Sequence, residues 1–169
     1  MPCPTEGGTA AMTYVFQSLS HNKVLKPGDK IAIGTPIFTP YLQIPHVNNY
    51  GLVSVDVTST AQGGWDIAPE ELDKLKDPGI KAFFLVNPSN PASHALSDKT
   101  LDKLAEVVRA HPDLIILTDD VYGTFVDDFR SVYSVLPNNT ILVYSYSKLY
   151  GATGWRIGVI AMGTEFPGS

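Results

Sequence analysis

The sequence predicts an α/β fold in which helices cover both faces of a mostly parallel sheet, giving three layers. Short apolar runs rich in valine and isoleucine alternate along the chain with segments of helical period. The apolar runs lack the strict apolar–polar alternation of a strand with one wet face, which favours strands buried on both sides. Polar residues follow directly after several of these runs, where open α/β sheets bind their ligands.

Six apolar runs are predicted as strands: 30–33, 52–57, 81–86, 114–118, 140–144 and 157–162. Three segments between them are predicted as helices: 9–19, 68–76 and 97–110. The second has Pro69 in its first turn, where a missing N–H costs nothing. The third has Ser97 placed as an N-cap and carries an apolar face.

Composition places the chain among globular proteins and narrows its partners. The 169 residues are 44% hydrophobic and 17% charged, enough for one domain with its own core. A formal net charge of −5 argues against a nucleic-acid partner. No apolar run reaches the roughly 18 residues of a membrane span, and the single cysteine, Cys3, cannot form an internal disulfide. We therefore expect a cytoplasmic protein whose partner is a small molecule.

Three successive predicted strands end in polar residues. Asn87 and Asn90 follow the first, Asp119 and Asp120 the second, and residues 145–148 the third. Carboxyl ends of parallel strands meet at one edge of a sheet, so these side chains are expected to share a cleft. The four histidines show no metal-ligand spacing, and no metal site is predicted.

The segment Ser145-Tyr146-Ser147-Lys148 places a lysine just past a buried strand. Such an amine can act as a nucleophile or form a Schiff base, although a lone lysine is more often a solvated surface residue. Eight residues further on, Arg156 adds a fixed cation inside the glycine-flanked segment 151–158. That combination favours a functional lysine.

Residues 145–148 followed by Gly154-Trp155-Arg156-Ile157-Gly158 resemble the cofactor-lysine signature of the aspartate aminotransferase superfamily, the fold type I enzymes that depend on pyridoxal 5′-phosphate (PLP). The resemblance continues through nearly the whole chain in the family's order. It implies the large domain of a PLP-dependent transferase, with Lys148 as the catalytic residue that forms the Schiff base. Residues 1–169 would be the central part of that domain, without the family's N-terminal arm and C-terminal small domain.

The resemblance also implies a phosphate site. Gly7-Gly8-Thr9 matches the family's phosphate loop, so Gly8 and Thr9 are expected to bind the PLP phosphate together with Ser145 and Arg156. Backbone N–H groups at a helix start are suited to an anion, and an arginine can bind phosphate through two parallel hydrogen bonds.

Four further residues are expected around the cofactor ring. Phe38, in Pro36-Ile37-Phe38, matches the stacking position, although Tyr41 nearby is an alternative. Asn90, in an Asn-Pro-x-Asn-Pro loop, and Tyr122 are expected to bind the phenolic oxygen. Asp119 would pair with the pyridine nitrogen; its spacing to Tyr122 favours it over Asp120. The loop departs from the family at 92–93, where Ala-Ser replaces Thr-Gly, and Pro91 is a candidate for a cis peptide bond.

Residues 5–12, 118–129 and 145–155 resemble the aspartate 4-decarboxylase branch of the superfamily. That branch converts L-aspartate to L-alanine and CO₂, with transaminase side activity. An aspartate-type or other class I aminotransferase is the alternative, and a non-catalytic PLP-binding or structural fragment is another. The full-length enzyme is expected to be a homo-oligomer. The family's arginine for the substrate α-carboxylate falls outside this chain, so the chain alone is expected to have little or no activity.

Overall fold

The computed structural model of the protein describes residues 2–166. The strands in that range are β1 (Pro2–Thr5), β2 (Lys30–Thr35), β3 (Val53–Thr58), β4 (Ile80–Val86), β5 (Ile115–Asp119), β6 (Thr140–Ser145) and β7 (Gly158–Met162). The helices are α1 (Gly8–His21), α2 (Pro40–Val47), α3 (Pro69–Asp73), α4 (Asp98–Ala110) and α5 (Val132–Val135). Together these elements confirm the predicted α/β class.

All seven strands form one mixed sheet with the order β1-β7-β6-β5-β4-β2-β3. The central strands β6, β5, β4, β2 and β3 are parallel neighbours, whereas β7 runs antiparallel to both β6 and β1. Because β7 runs in reverse, its first residues lie at the carboxyl end of β6. This edge of the sheet holds the candidate site.

Two apolar clusters cover the two faces of the sheet, which makes the three layers. On one face, α1 packs against the sheet, and the Phe16 ring stacks on Phe84 of β4 with centroids 4.6 Å apart. On the other face, α4 buries Leu101, Leu104 and Val107. Ser97 caps α4 as predicted, since its hydroxyl accepts the Thr100 N–H at 3.2 Å.

The strand bounds agree with the predictions to within two residues, but burial differs for two strands, and in β7 only Gly158 is buried. Residues 52–57 were expected to be buried on both faces, and this is wrong for β3, where only Val57 is buried. The reason is position: β3 lies at the edge of the sheet, beside β2 alone. The predicted helix 68–76 is α3 followed by a 3₁₀ turn, Lys74–Lys76.

Three elements were not predicted: β1, α2 and α5. Two of the four residues of β1 are prolines, which are acceptable because β1 is the other edge strand. Helix α2 starts with Pro40 and contains Pro45, so its sequence does not have the pattern of a helix. Helix α5 has only four residues. Among residues 2–166, no helix has the length and apolar character needed to cross a bilayer.

Candidate active site

The register of the sheet aligns the strand ends that carry the predicted site residues. Val86 of β4 pairs with Asp119 of β5, and Asp119 pairs with Val143 of β6. A cleft of about 170 Å³ opens at this edge. All nine predicted site residues line it: Gly8, Thr9, Phe38, Asn90, Asp119, Tyr122, Ser145, Lys148 and Arg156. Of the polar residues expected to share a cleft, Asn90, Asp119, Ser145, Ser147 and Lys148 line this one, whereas Asn87 and Asp120 do not.

One end of the cleft is built where β1, β7 and β6 lie side by side. Thr5 pairs with Gly158, and Gly158 pairs with Ser145, so the loop after β1 reaches the end of β6. The approach is tight, because a Cβ added to Gly158 would lie 2.7 Å from the carbonyl carbon of Gly7. The register therefore brings the start of α1 against Ser145.

Glycine is required at the N-cap of α1 for two reasons. Gly7 has a φ of +93°, and a Cβ there would lie 2.7 Å from the Arg156 Cζ and even closer to its Nη2. At Gly8, a Cβ would lie 3.4 Å from the Ser145 Cβ. The first-turn N–H groups of α1, the Arg156 guanidinium and the Ser145 hydroxyl thus meet in one place. A helix start beside a guanidinium is an anion site.

Hydrogen bonds hold the Arg156 end of this site in shape. Arg156 Nη1 donates to the Thr153 carbonyl at 2.9 Å and to the Ser147 hydroxyl at 3.4 Å. The Ser145 hydroxyl donates to the Ser147 hydroxyl at 3.0 Å and accepts the Ser147 N–H at 3.2 Å. Arg156 itself has left-handed backbone, with φ at +51°. Its guanidinium is tied to the loop that carries Lys148.

The floor of the cleft carries a buried carboxylate. Asp119 is 6% exposed, and its Oδ1 accepts the Val121 N–H at 3.1 Å. Its Oδ2 accepts a hydrogen bond from the Tyr41 hydroxyl, also at 3.1 Å. Burial raises the pKa of Asp119 to about 6, although both hydrogen bonds oppose the rise. The carboxylate is thus costly to keep ionised unless a cation lies in the cleft.

The neighbouring Asp120 does not line the cleft. Its Oδ1 accepts the Thr118 hydroxyl at 2.5 Å, and burial raises its pKa to about 7, although this hydrogen bond opposes the rise. Its Oδ2 is buried without a hydrogen-bond partner among residues 2–166. The structure therefore places Asp119, and not Asp120, at the predicted site.

The other predicted residues lie around the rim. Lys148 is exposed in the turn after β6, and Phe38 is 38% exposed just before α2. Asn90 and Tyr122 are half-buried in the loops after β4 and β5, and the peptide bond after Asn90 is cis, as predicted. An amine, a carboxylate, an aromatic face and an anion site thus share one cleft.

Four cleft residues were not predicted: Met12, Val86, Val121 and Thr153. Ser147 was expected in the cleft as part of residues 145–148, but without a role of its own. Tyr41, considered as a stacking residue, instead lies fully buried and bonded to Asp119. A larger concavity of about 670 Å³ lies along α3 and α4. Exposed charges of α4, such as Lys99 and Asp102, line it, and none of the nine predicted residues does.

Comparisons with known proteins agree with this geometry. The sequence pattern of the family described as aminotransferase class I and II, whose members depend on PLP, matches residues 4–166. A bifunctional aspartate aminotransferase and L-aspartate beta-decarboxylase of Pseudomonas sp. is 57% identical over 157 residues, which cover 92% of this chain and 30% of that protein. An aspartate aminotransferase of Rhizobium meliloti (strain 1021) is 35% identical over 158 residues, covering 89% and 37%.

The fold is shared with solved structures as well. An aspartate aminotransferase from Thermus thermophilus with maleate superimposes with a TM-score of 0.84 at 27% identity, covering 97% of this chain and 41% of that one. The chain thus spans well under half the length of the proteins it matches. With the family pattern extending over almost every described residue, the chain belongs to the class I and II aminotransferases.

Proposed function

We propose that the chain binds PLP in this cleft, through Lys148, as the cofactor core of an enzyme that converts amino acids. One observation carries the proposal: nine residues chosen from sequence, spread from Gly8 to Arg156, line a single cleft. Their chemistry fits the cofactor, since PLP has an aldehyde, a phosphate and a basic ring nitrogen. The cleft offers an amine, an anion site and a carboxylate.

The anion site fits the phosphate. Gly8 and Thr9 supply first-turn N–H groups of α1, while Ser145 and Arg156 supply a hydroxyl and a fixed positive charge. The close approach of Gly7 to Arg156 supports this assignment, because any side chain at Gly7 would occupy the guanidinium's place. Free phosphate should therefore compete with PLP for this end of the cleft.

The other end fits the ring. Asp119 would face the ring nitrogen, Asn90 and Tyr122 the phenolic oxygen, and Phe38 would stack on the ring face. A protonated ring nitrogen would supply the cation that the buried Asp119 carboxylate requires.

When bound, PLP supplies an electron sink that stabilises negative charge on the substrate. Lys148 would hold the cofactor through its amine. When not bound to the cofactor, that amine would act as the general base that takes the proton from the substrate Cα. Asp119 would keep the ring nitrogen protonated, and Arg156 with the start of α1 would hold the phosphate end in place.

For the whole enzyme, we propose 4-decarboxylation of L-aspartate to L-alanine and CO₂, with transamination as a side activity. The 57% identity to the Pseudomonas protein, against 35% to the Rhizobium aminotransferase, supports this choice. In decarboxylation the bond between Cβ and the side-chain carboxylate breaks, CO₂ leaves, and Cβ takes up a proton. Transamination of aspartate is the second candidate, because both reactions begin with the same proton transfer from Cα.

Residues 1–169 are proposed to be the central part of the large domain, acting within a homo-oligomer. Exposed apolar side chains beside the Lys148 turn support an interface there: Leu149, Tyr150, Trp155 and Ile157 are 40%, 65%, 79% and 40% exposed. A cytoplasmic setting fits a chain with one cysteine. Light scattering of the full-length enzyme would test the assembly; a strict monomer would contradict it.

The first experiment tests cofactor binding. The protein is mixed with equimolar PLP, its absorbance is recorded, and borohydride is added before peptide mapping by mass spectrometry. We expect an absorbance band that borohydride removes and a stable adduct on Lys148. Lys148→Ala should lose the adduct, whereas Lys99→Ala, an exposed lysine of α4, should keep it. Adducts scattered over surface lysines, or a purely structural chain with no band, would contradict the proposal.

The second experiment separates the reactions. Aspartate labelled at its side-chain carboxyl is incubated with the PLP-loaded chain and, separately, with the full-length enzyme. Label released as CO₂ together with alanine indicates decarboxylation, and oxaloacetate formed with 2-oxoglutarate as acceptor indicates transamination. We expect decarboxylation from the full-length enzyme and little turnover from the chain alone. A non-catalytic protein would give neither product in either form.

A further inference from the structure

Tyr41 is a fully buried phenol whose hydroxyl reaches the cleft carboxylate. It lies in the first turn of α2, three residues after Phe38, with 0% exposure. Its hydroxyl donates to Asp119 Oδ2 at 3.1 Å, although the two residues are 78 positions apart in sequence. A buried hydroxyl needs a partner, and the fold provides Asp119.

The two oxygens of Asp119 are held by donors from different elements. Oδ1 accepts the Val121 N–H, and Oδ2 accepts the Tyr41 hydroxyl, each at 3.1 Å. Two fixed donors set the rotation of the carboxylate, so its remaining lone pairs have defined directions. Asp119 lines the cleft, which makes this rotation relevant to whatever binds there.

The direction of the Tyr41 bond is fixed by electrostatics. Burial, with the negative charge of Asp119 close by, raises the pKa of Tyr41 well above its ordinary value, so the phenol stays protonated and donates. That donation favours the ionised form of Asp119 and opposes the effect of burial on its pKa. Other titratable groups around Asp119 are Asp120 next to it and Tyr122, Lys148 and Arg156 across the cleft.

We propose that Tyr41 is a positioning residue that keeps the Asp119 carboxylate ionised and oriented toward a protonated ring nitrogen in the cleft. This inference rests on the proposed PLP function and makes it more specific. Tyr41 touches the carboxylate and not the ligand, so its effect should depend on the ligand's ring nitrogen. A ligand without that nitrogen should not sense the loss of the hydroxyl.

The test compares PLP with a carbocyclic analogue in which a C–H replaces the ring nitrogen. Dissociation constants are measured by absorbance titration for the wild type, Tyr41→Phe and Tyr50→Phe. Tyr50 is the matched control, since its ring packs near Phe16, with centroids 6.2 Å apart, away from the cleft lining. We expect Tyr41→Phe to bind PLP about tenfold more weakly and the analogue within about twofold of wild type. Tyr50→Phe should change neither.

A double-mutant cycle adds a second check. In an Asp119→Asn background, Tyr41→Phe should weaken PLP binding by no more than about twofold further, because the carboxylate it serves is gone. Equal losses for PLP and the analogue in Tyr41→Phe would mean a packing role and would overturn the proposal. Unchanged PLP affinity would overturn it too.

A measurement without cofactor separates this proposal from the proposed function. The Asp119 carboxyl is followed by carbon NMR in the free protein, where the wild-type pKa should be about 6. Tyr41→Phe should raise this pKa by about one pH unit. If the wild type binds neither ligand, the proposed function fails for this chain, and the titration alone decides on Tyr41. A raised Asp119 pKa in Tyr41→Phe would then support the role of Tyr41, and an unchanged pKa would refute it.

Discussion

Replacing Asp120 by asparagine should change how the stability of the chain depends on pH. Asp120 is 4% exposed and does not line the cleft, so Asp120→Asn leaves the predicted cofactor site intact. Asparagine keeps the shape and the oxygen that accepts the Thr118 hydroxyl. What it removes is ionisation.

The size of the effect follows from the pKa. Burial raises the pKa of Asp120 from 3.8 in the unfolded chain to about 7 in the folded chain. Between these values the folded state holds more protons than the unfolded state, so this carboxyl makes stability fall as pH rises, levelling off above pH 7. At 1.36 kcal/mol per pH unit, the full loss is about 4 kcal/mol, of which about 3 kcal/mol falls between about pH 4.5 and about pH 8.

Urea unfolding of the wild type and Asp120→Asn at these two pH values measures the effect. The variant should gain about 3 kcal/mol relative to wild type on going from about pH 4.5 to about pH 8. Any difference in packing between the variant and the wild type contributes equally at both pH values. It therefore cancels when the difference in free energy of unfolding at one pH is subtracted from that at the other. Asp102→Asn, at an exposed position of α4, is the control and should track the wild type at both pH values. A gap between Asp120→Asn and wild type that is independent of pH would refute the reasoning.

Two further substitutions test the anion site and the capping of α4. Gly7→Ala and Gly28→Ala both place a Cβ at a φ of +93°, but only the first meets Arg156, while Gly28 has open space around it. Each substitution should lower the free energy of unfolding in urea by about 1 kcal/mol. Only Gly7→Ala should weaken PLP binding, by about tenfold or more in an absorbance titration. Equal PLP affinities of the two variants would contradict a role of Arg156 in binding. Ser97→Ala removes the hydroxyl that caps α4 and bonds Asp66, and should lower the free energy of unfolding by about 1–2 kcal/mol. The control Ser54→Ala, at an exposed position of β3, should change the free energy of unfolding by less than about 0.5 kcal/mol. An equally small change for Ser97→Ala would contradict its role as the N-cap of α4.

The sequence predicted the strands most accurately where both faces of the strand are buried along its length. Strands β4, β5 and β6 are buried almost throughout, so their apolar runs mark them to within one residue. Elements whose local sequence opposes their structure were missed. The prolines of β1 and α2 are tolerated because of an edge position and a helix start, and both are properties of the assembled fold.

The candidate site shows the same limit. Family-like motifs selected nine of the fourteen cleft residues, because each motif is short and continuous in sequence. The hydrogen bond between Tyr41 and Asp119 joins residues 78 apart, and no local pattern predicts that contact. The alternation of side chains between the two faces of a strand, by contrast, could have distinguished Asp119 from Asp120. Ile115 and Leu117 lie on the α1 face of the sheet and Ile116 on the α4 face. Asp119, two residues after Leu117, therefore belongs to the α1 face.

This alternation gives the two buried carboxyls different consequences for binding. Asp120 does not line the cleft, and its pKa is about 7. Above that pH, its ionisation costs the same free energy whether or not a ligand is bound. Asp119 opens to the cleft, where a cationic ring nitrogen would favour its ionised form and lower its pKa from about 6. PLP should therefore stabilise the chain more above pH 6 than below it, since only there does binding relieve a buried charge. The same stabilisation at about pH 5 and about pH 8 would mean that Asp119 does not face the ring nitrogen.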